Sequence, residues 1–312
     1  MLFRRTVLAV GIVVATSLPM AGTATAKQGP AASQITATYY YSSGWPAMVS
    51  LDPVSGDVTR TFAQNAEDGV LSPNRSTVAY IQHDDTCIPQ FEGCMYAQNL
   101  VVAKADGSNQ HVLVRGVEPE TGNAPYVAHP RWSPDGKRIL YYSPRGLEWV
   151  KSDGTGQEVL TTGVGVAAIS PDGKSIAFVK TTVDETADGR TYDRDVWVMD
   201  IATRQMRQIS TLRYAQGTPV WSPDGQRIVV DTAMGLSAID VVTGAVTDLQ
   251  SDWPIPLTSI RSPVFSPDGT RIAFNAVDGF DYTNSTYVVD ADGKNLRVLT
   301  DQPVIPSDWV NK

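Results

Sequence analysis

The sequence predicts an all-β protein, a six-bladed β-propeller with four-stranded blades, and three observations carry that prediction. The tetrapeptide Ser-Pro-Asp-Gly begins at Ser133 and recurs unchanged at Ser170, Ser222 and Ser266, with an altered copy, Ser-Pro-Asn-Arg, at Ser72. A run rich in β-branched and aromatic residues follows every copy: Thr77-Val-Ala-Tyr-Ile, Arg138-Ile-Leu-Tyr-Tyr, Ser175-Ile-Ala-Phe-Val, Arg227-Ile-Val-Val and Arg271-Ile-Ala-Phe. The two ends of the chain complement each other. Pro306-Ser-Asp-Trp309 resembles the inner-strand pattern of Pro130-Arg-Trp132 and Pro219-Val-Trp221, whereas residues 35–41, 47–51 and 58–62 read as a blade lacking its inner strand. Joining the ends completes a shared blade, closes the ring and removes its free edges.

From the N-terminus, Arg4 and Arg5 precede an apolar run over 7–14, and Ala24-Thr25-Ala26 forms a small-residue cleavage pattern before Lys27. Residues 1–26 are therefore expected to be a signal peptide. The apolar run is shorter than the ~20 residues a spanning helix needs. No Cys follows it, so no lipid anchor is expected there, and the flanks of the Arg pair suit ordinary secretion better than the twin-arginine route. Residues 27–34 read as a short linker and 35–312 as a single propeller domain. The expected location is exported, either secreted or in the periplasm or cell envelope.

Within the domain, the interval from Ser133 to Ser170 shows the smallest unit. It holds strands at 138–142, 147–151 and 158–161, with an Asp153-Gly154 turn before the last, so each blade is a four-stranded meander. In the Ser-Pro-Asp-Gly turn, Pro presets φ for the second position and Gly supplies the positive φ that closes it. The second turn recurs as Asp106-Gly107 and Asp292-Gly293, and as Thr243-Gly244 in a related form.

Val288-Val-Asp-Ala-Asp-Gly-Lys-Asn-Leu-Arg-Val-Leu-Thr300, set behind Val264-Phe-Ser-Pro-Asp-Gly-Thr-Arg-Ile-Ala-Phe274, resembles the repeat of TolB-type WD-like β-propellers. The resemblance runs from about Leu71 to Trp309. It implies the fold, while the role stays open because this repeat serves many unrelated functions. TolB itself carries an α/β domain before its propeller. With few residues between leader and first strand, that domain and a Tol-system role are not expected here.

Net charge is −8 at pH 7, which argues against nucleic acid or anionic membrane surfaces as partners. Cys87 and Cys94, the only two cysteines, lie close together in a chain read as exported, so a disulfide is expected. Length variation falls on one face of the ring: insertions between second and third strands at 83–97, 181–194 and 276–284, and links between blades at 115–129 and 251–261. Long segments on one side of a rigid scaffold are where binding is usually placed. The insertions carry Asp84, Asp85, Glu92, Asp184, Glu185, Asp188, Asp193, Asp278 and Asp281, a set that reads either as a solvated rim or as a site for a basic partner. Asp184, Asp188 and Asp195, with Gly189 between, partly mimic a calcium loop, but Thr186 and Asp195 break the pattern. No other cofactor is indicated.

Catalytic signatures are missing. Gly163-Val-Gly165-Val-Ala-Ala168 fits a dinucleotide pattern yet leads into a strand, and no Gly-x-Ser-x-Gly elbow occurs. His83 and His129 fall singly on the variable face, and His111 in an outer strand. The repeated aspartates Asp135, Asp172, Asp224 and Asp268 are explained by turn chemistry. The expected function is noncatalytic binding of a protein or extracellular polymer by a monomer. The alternative is a lyase- or hydrolase-like enzyme with its site at the channel mouth.

Overall fold

The computed structural model describes residues 33–41, 45–90, 93–116, 126–186 and 189–311; the segment read as a leader lies outside them. Six four-stranded antiparallel sheets follow one another as blades. The first holds β1 (Ser33–Tyr39), β2 (Ala47–Leu51) and β3 (Val58–Gln64). The second is β4 (Ala66–Leu71), β5 (Thr77–Gln90), β6 (Gly93–Lys104) and β7 (His111–Val114). The third is β8 (Ala128–Trp132), β9 (Arg138–Ser143), β10 (Gly146–Lys151) and β11 (Glu158–Thr161). The fourth is β12 (Ala167–Ile169), β13 (Ser175–Thr186), β14 (Gly189–Asp200) and β15 (Met206–Gln208). The fifth is β16 (Val220–Trp221), β17 (Arg227–Thr232), β18 (Gly235–Asp240) and β19 (Val246–Asp248). The sixth is β20 (Leu257–Phe265), β21 (Arg271–Asp278), β22 (Asn284–Asp290) and β23 (Arg297–Thr300). The last strand, β24 (Val304–Asn311), returns to the first blade as its innermost strand, in the order β24-β1-β2-β3. The shared blade is therefore present.

The repeated tetrapeptide builds the turn between first and second strands of each blade. Ser133 Oγ donates to Asp135 Oδ1 at 2.6 Å and accepts the Arg138 amide at 2.9 Å, while Asp135 Oδ1 accepts the Lys137 amide at 3.0 Å. Gly136 closes the turn at φ 68°. The same bonds recur from Ser170, Ser222 and Ser266. These contacts occupy the repeated aspartates and hold their carboxyls below the ordinary range, chiefly through the serine hydroxyl. In the altered copy Asn74 takes the aspartate's place at 2.8 Å from Ser72 Oγ, and Arg75 takes the glycine's at φ 59°.

Apolar residues gather into six buried clusters, one at each junction between neighbouring blades. The junction of sixth and first blades joins Val264, Ala273 and Val288 to Ile35, Val49, Val304 and Trp309. Stability therefore depends on the ring being complete, because every blade is covered on both faces by its neighbours. Trp132 and Trp221 sit in these junctions, donating to Val70 O at 3.1 Å and Ala168 O at 3.2 Å on the preceding blade. That accounts for their recurrence.

Two expected insertions are not loops. The β5–β6 and β13–β14 hairpins continue the ladder past the blade, to Gln90↔Gly93 and Thr186↔Gly189. Alternation with threonine and tyrosine sustains the strands, which projected as open loops when only length was considered. In the second blade a bulge between His83 and Cys87 shifts the register, so Cys87 stands opposite Tyr96 and Cys94 opposite Pro89. The side chains of Cys87 and Cys94 lie outside the described set.

Candidate functional site

Strands alternate in direction within a blade, so the second-to-third turns and the inter-blade links share one end of the ring. A channel of about 440 Å³ runs down the middle, lined by the innermost strands. Four of those strands are bulged: β24 at Ser307, and three others nearer this end, between Glu67 and Val70, Ala128 and Arg131, and Arg261 and Val264. Each of the latter three holds a non-glycine residue in the left-handed region: Asp68 at φ 55°, His129 at φ 53° and Ser262 at φ 53°. Bulges of this kind re-aim side chains, and all three residues line the channel. Gly69 follows the first. A Cβ there would lie 1.8 Å from Met48 Sδ, so any larger residue would have to displace the buried Met48 side chain between first and second blades. The Gly69 carbonyl accepts Thr36 Oγ1 at 2.9 Å and Ser307 Oγ at 2.7 Å.

Glu67, beside the first bulge, is the hub of a polar network. Its Oε1 lies 3.0 Å from His83 Nε2 and accepts Gln98 Nε2 at 3.2 Å, and its Oε2 accepts the Tyr40 hydroxyl at 3.1 Å. Burial works to raise its carboxyl, but hydrogen bonds from His83 and Tyr40 outweigh it and hold Glu67 below the usual carboxylate range. Burial, then the charges of Glu67 and Asp68, push the Tyr40 hydroxyl well up, so it stays a neutral donor. His129 Nδ1 lies 3.1 Å from Asp68 Oδ2, and His129 also bears on Glu67 electrostatically. The two histidines that fall singly in the sequence thus converge on neighbouring carboxylates.

Deeper in the channel one level is filled by Val70, Ala168, Val220 and Val264 in four blades, and by Arg131 and Asp308 in the other two. Burial pushes Asp308 up to about 6, and the Arg131 guanidinium pulls it back only in part. Neither Glu67 nor Asp308 stands out in sequence. Glu67 sits upstream of the altered repeat, where a bulge breaks the strand alternation, and Asp308 occupies a position that is apolar in most blades.

The acidic residues singled out by sequence do not form one site. Glu185 pairs with Arg190 at 2.9 Å, opposite it in the β13–β14 ladder, and Asp193 with Arg213 at 3.7 Å. Asp278 Oδ1 accepts the Phe280 amide at 2.7 Å, and Asp281 Oδ1 the Thr283 amide at 2.8 Å. Asp84 is half-buried beside His83. Glu92 and Asp188 lie outside the described residues, as do the side chains of Asp85 and Asp184. The calcium reading does not survive the ladder. Asp195 is buried, facing Lys180 across the sheet and accepting the Arg213 amide at 2.9 Å. Asp184 pairs with Thr191, four rungs away, or about 13 Å at strand rise, so one ion cannot take both. Among the described residues no group of three or more His, Cys, Asp or Glu side chains is set to hold a metal.

The same face carries a signal that charge counting overlooks. Among the described residues the exposed aromatics are Tyr40, Tyr41, Trp45, Tyr192, Tyr214, Phe280 and Tyr282, and all seven lie on this end of the ring, with Met234. Among the same residues, the large hydrophobics exposed in the turns of the opposite end are Val54 and Val242.

No protein-family model matches the chain. Among curated proteins, an uncharacterized peptidase, YuxL, of Bacillus subtilis is 25% identical over 122 residues, covering 35% of this chain and 18% of that protein. The Tol-Pal system protein TolB of Francisella tularensis is 30% identical over 118 residues, covering 36% of this chain and 24% of that one. The chain thus spans about a quarter or less of the curated relatives it matches. Among solved structures, TolB from Acinetobacter baumannii superposes at TM-score 0.56 with 18% identity, over 86% of this chain and 69% of that one. An oligogalacturonate lyase in complex with manganese superposes at TM-score 0.52 with 13% identity, over 88% and 74%. The fold is that of the TolB-type β-propeller.

Proposed function

We propose that this protein is an exported, noncatalytic binding propeller whose partner docks on the end of the ring that carries the second-to-third-strand turns and the links between blades. One observation carries the reading: all seven exposed aromatics among the described residues lie on that end. Tyrosine and tryptophan are enriched among the few residues that dominate binding energy at protein interfaces, because they combine large apolar area with few rotamers and a polar tip. The likeness to TolB propellers supports a protein as the partner, and the chain's net charge of −8 favours one with basic side chains. The leader-like residues 1–26 support export to the envelope or beyond, and the ring, complete in one chain, supports a monomer. Capture from the exported fraction tests this. A triple substitution, Tyr192→Ser, Phe280→Ser and Tyr282→Ser, is expected to abolish capture of a partner that the parent retains. Val54→Ser with Val242→Ser, on the opposite end, is expected to leave it unchanged. The reverse pattern would refute the docking face.

A second reading has its own support. His83 on Glu67 and His129 on Asp68 give the mouth paired acid–base groups of the kind proton-transfer enzymes use, and lyases share the fold. A catalytic propeller would form unsaturated product from an oligouronate, with loss of turnover in His83→Gln. No turnover with parent protein leaves the binding module.

A further inference from the structure

The mouth holds more directed chemistry than a docking face needs. Its exposed rings are fixed in place. Trp45 packs on His83 with centroids 5.4 Å apart and edge-to-face with Tyr96 at 4.7 Å, and Tyr41 lies against Tyr39 at 4.6 Å. Tyr40 is tied by its hydroxyl to Glu67. Even so, Trp45, Tyr40 and Tyr41 keep 36, 40 and 43% of their surface open to solvent. Rings held this way lose little entropy when a ligand lies on them.

The polar groups at the mouth and below it are of both kinds. Glu67 and Asp68 at the mouth and Asp308 deeper in the channel accept hydrogen bonds, while the histidines at the mouth and Arg131 below them donate. A strongly charged ligand of either sign would therefore meet its like. Glu67 already accepts three bonds, which leaves room for one more on its about four lone-pair positions. The channel, at about 440 Å³, is within the size range of small-molecule clefts. A ligand that uses all of this has an apolar face for stacking and a rim of groups that each donate and accept. A sugar ring is built that way: its axial C–H bonds form the face and its hydroxyls the rim.

We propose that the channel mouth is a saccharide-binding subsite. One pyranose ring stacks on Trp45 beside His83, its hydroxyls reach Glu67 and Asp68, and the neighbouring unit enters the channel past His129 toward Arg131 and Asp308. The site is central and separate from the outer aromatics Tyr192, Phe280 and Tyr282, so it does not depend on the protein-docking reading.

The test is a calorimetric and tryptophan-fluorescence titration of the full chain with four uncharged sugars: maltotriose, cellotriose, chitotriose and xylotriose. At least one is expected to bind saturably in the micromolar to millimolar range. Trp45→Leu and Asp68→Asn are each expected to weaken it by about tenfold or more, whereas Phe280→Ser leaves it unchanged. Trp45 packs on His83 and Tyr96 and Asp68 pairs with His129, so each variant is melted first: a cooperative transition well above the titration temperature shows that weakened binding is not unfolding. A Trp45→Phe variant should recover part of the affinity. The proposal is overturned if none of the four sugars binds, if binding survives both substitutions, or if only an oligolysine peptide binds with that dependence. Retention on an insoluble polysaccharide without binding of any short oligomer would overturn it too.

Discussion

His83 Nε2 lies 3.0 Å from Glu67 Oε1, although the first is on an insertion-bearing hairpin and the second on the innermost strand of the same blade. With Tyr40 arriving from the first blade, the contact ties two blades together at the mouth. Glu67→Gln keeps the shape but removes the charge, and is expected to cost about 1–2 kcal/mol. The pH dependence has a definite sign. A carboxyl depressed in the folded state contributes stability that is fully present above its ordinary value of 4.5 and is lost as pH falls through the lower folded value. The gap between parent and variant melting temperatures should therefore narrow on acidification below that value. The Tyr40 phenol should titrate at lower pH in the variant, since one of the charges holding it up is gone.

Ring closure rests on β24. Trp309 and Val304 are buried in the junction of sixth and first blades, and Ser307 donates across to the second blade at Gly69 O. Trp309→Ala is expected to cost about 3–5 kcal/mol, as a large aromatic leaving a cavity does. Deleting 304–312 should abolish a cooperative melt. A truncated chain that melts within a degree or two of the parent would show that the closing strand is dispensable.

Asp308 gives the opposite pH sign to Glu67. Its folded value is pushed up to about 6 from 3.8 by burial in the channel, so folding disfavours its charged form. That contribution is most favourable below 3.8 and is lost as pH rises through about 6. Asp308→Asn should therefore be more stable than the parent above pH 6, by about 1–3 kcal/mol, and should approach it near pH 3–4. Urea melts at both ends of that range decide it. A variant that is less stable at high pH would mean that the Arg131 attraction outweighs the burial.

Glu148 supplies a different test, at the tight turn of the third blade. Its side chain is 1% exposed and accepts from Tyr141, Ser143 and both arms of the Arg145 guanidinium, the shortest of these arms at 2.6 Å. Arg145 is itself 60% exposed, so water replaces it in part. Arg145→Ala should cost about 1–2 kcal/mol, above the 0–1 of a surface pair, because the partner left behind is buried. Chemical denaturation of parent and variant measures the difference.

The fold was legible because its unit is local. Ser133, Asp135 and Gly136 determine a turn within a few residues, and five further copies of the turn or its partner strand fix the order of strands. The site was not legible in the same way. Glu67 and Tyr40 lie 27 residues apart on different blades, and no spacing rule connects them. Asp68 and His129 are aimed inward by bulges, which shift alternation by a residue and hide the face a side chain takes. The acidic residues that sequence does single out are mostly spent: on Arg190 for Glu185, on Arg213 for Asp193, and on turn amides for Asp278 and Asp281.

The cysteines give the last prediction. The ladder from Thr77↔Lys104 to His83↔Gln98 has a constant register, and had it continued, Cys87 would stand directly opposite Cys94. The bulge between His83 and Cys87 moves the pairing by two residues, to Cys87↔Tyr96 and Pro89↔Cys94. That leaves the two cysteines diagonal, at a spacing of about 7–8 Å, beyond the reach of an unstrained bridge. Oxidation is expected to pull the hairpin back into the register of its base, so that the bridge forms across one rung. On the chain-entropy account, closing so short a ring stabilises by about 2.5 kcal/mol, less any strain. Protein purified from the exported fraction should therefore show no titratable thiol until reduced. Reduction should lower the melting temperature, and amide exchange should quicken around Cys87 and Cys94 while the blades stay protected. Two thiols titrating in the native, unreduced protein would rule the bridge out, and the shifted register would then be the hairpin's resting state.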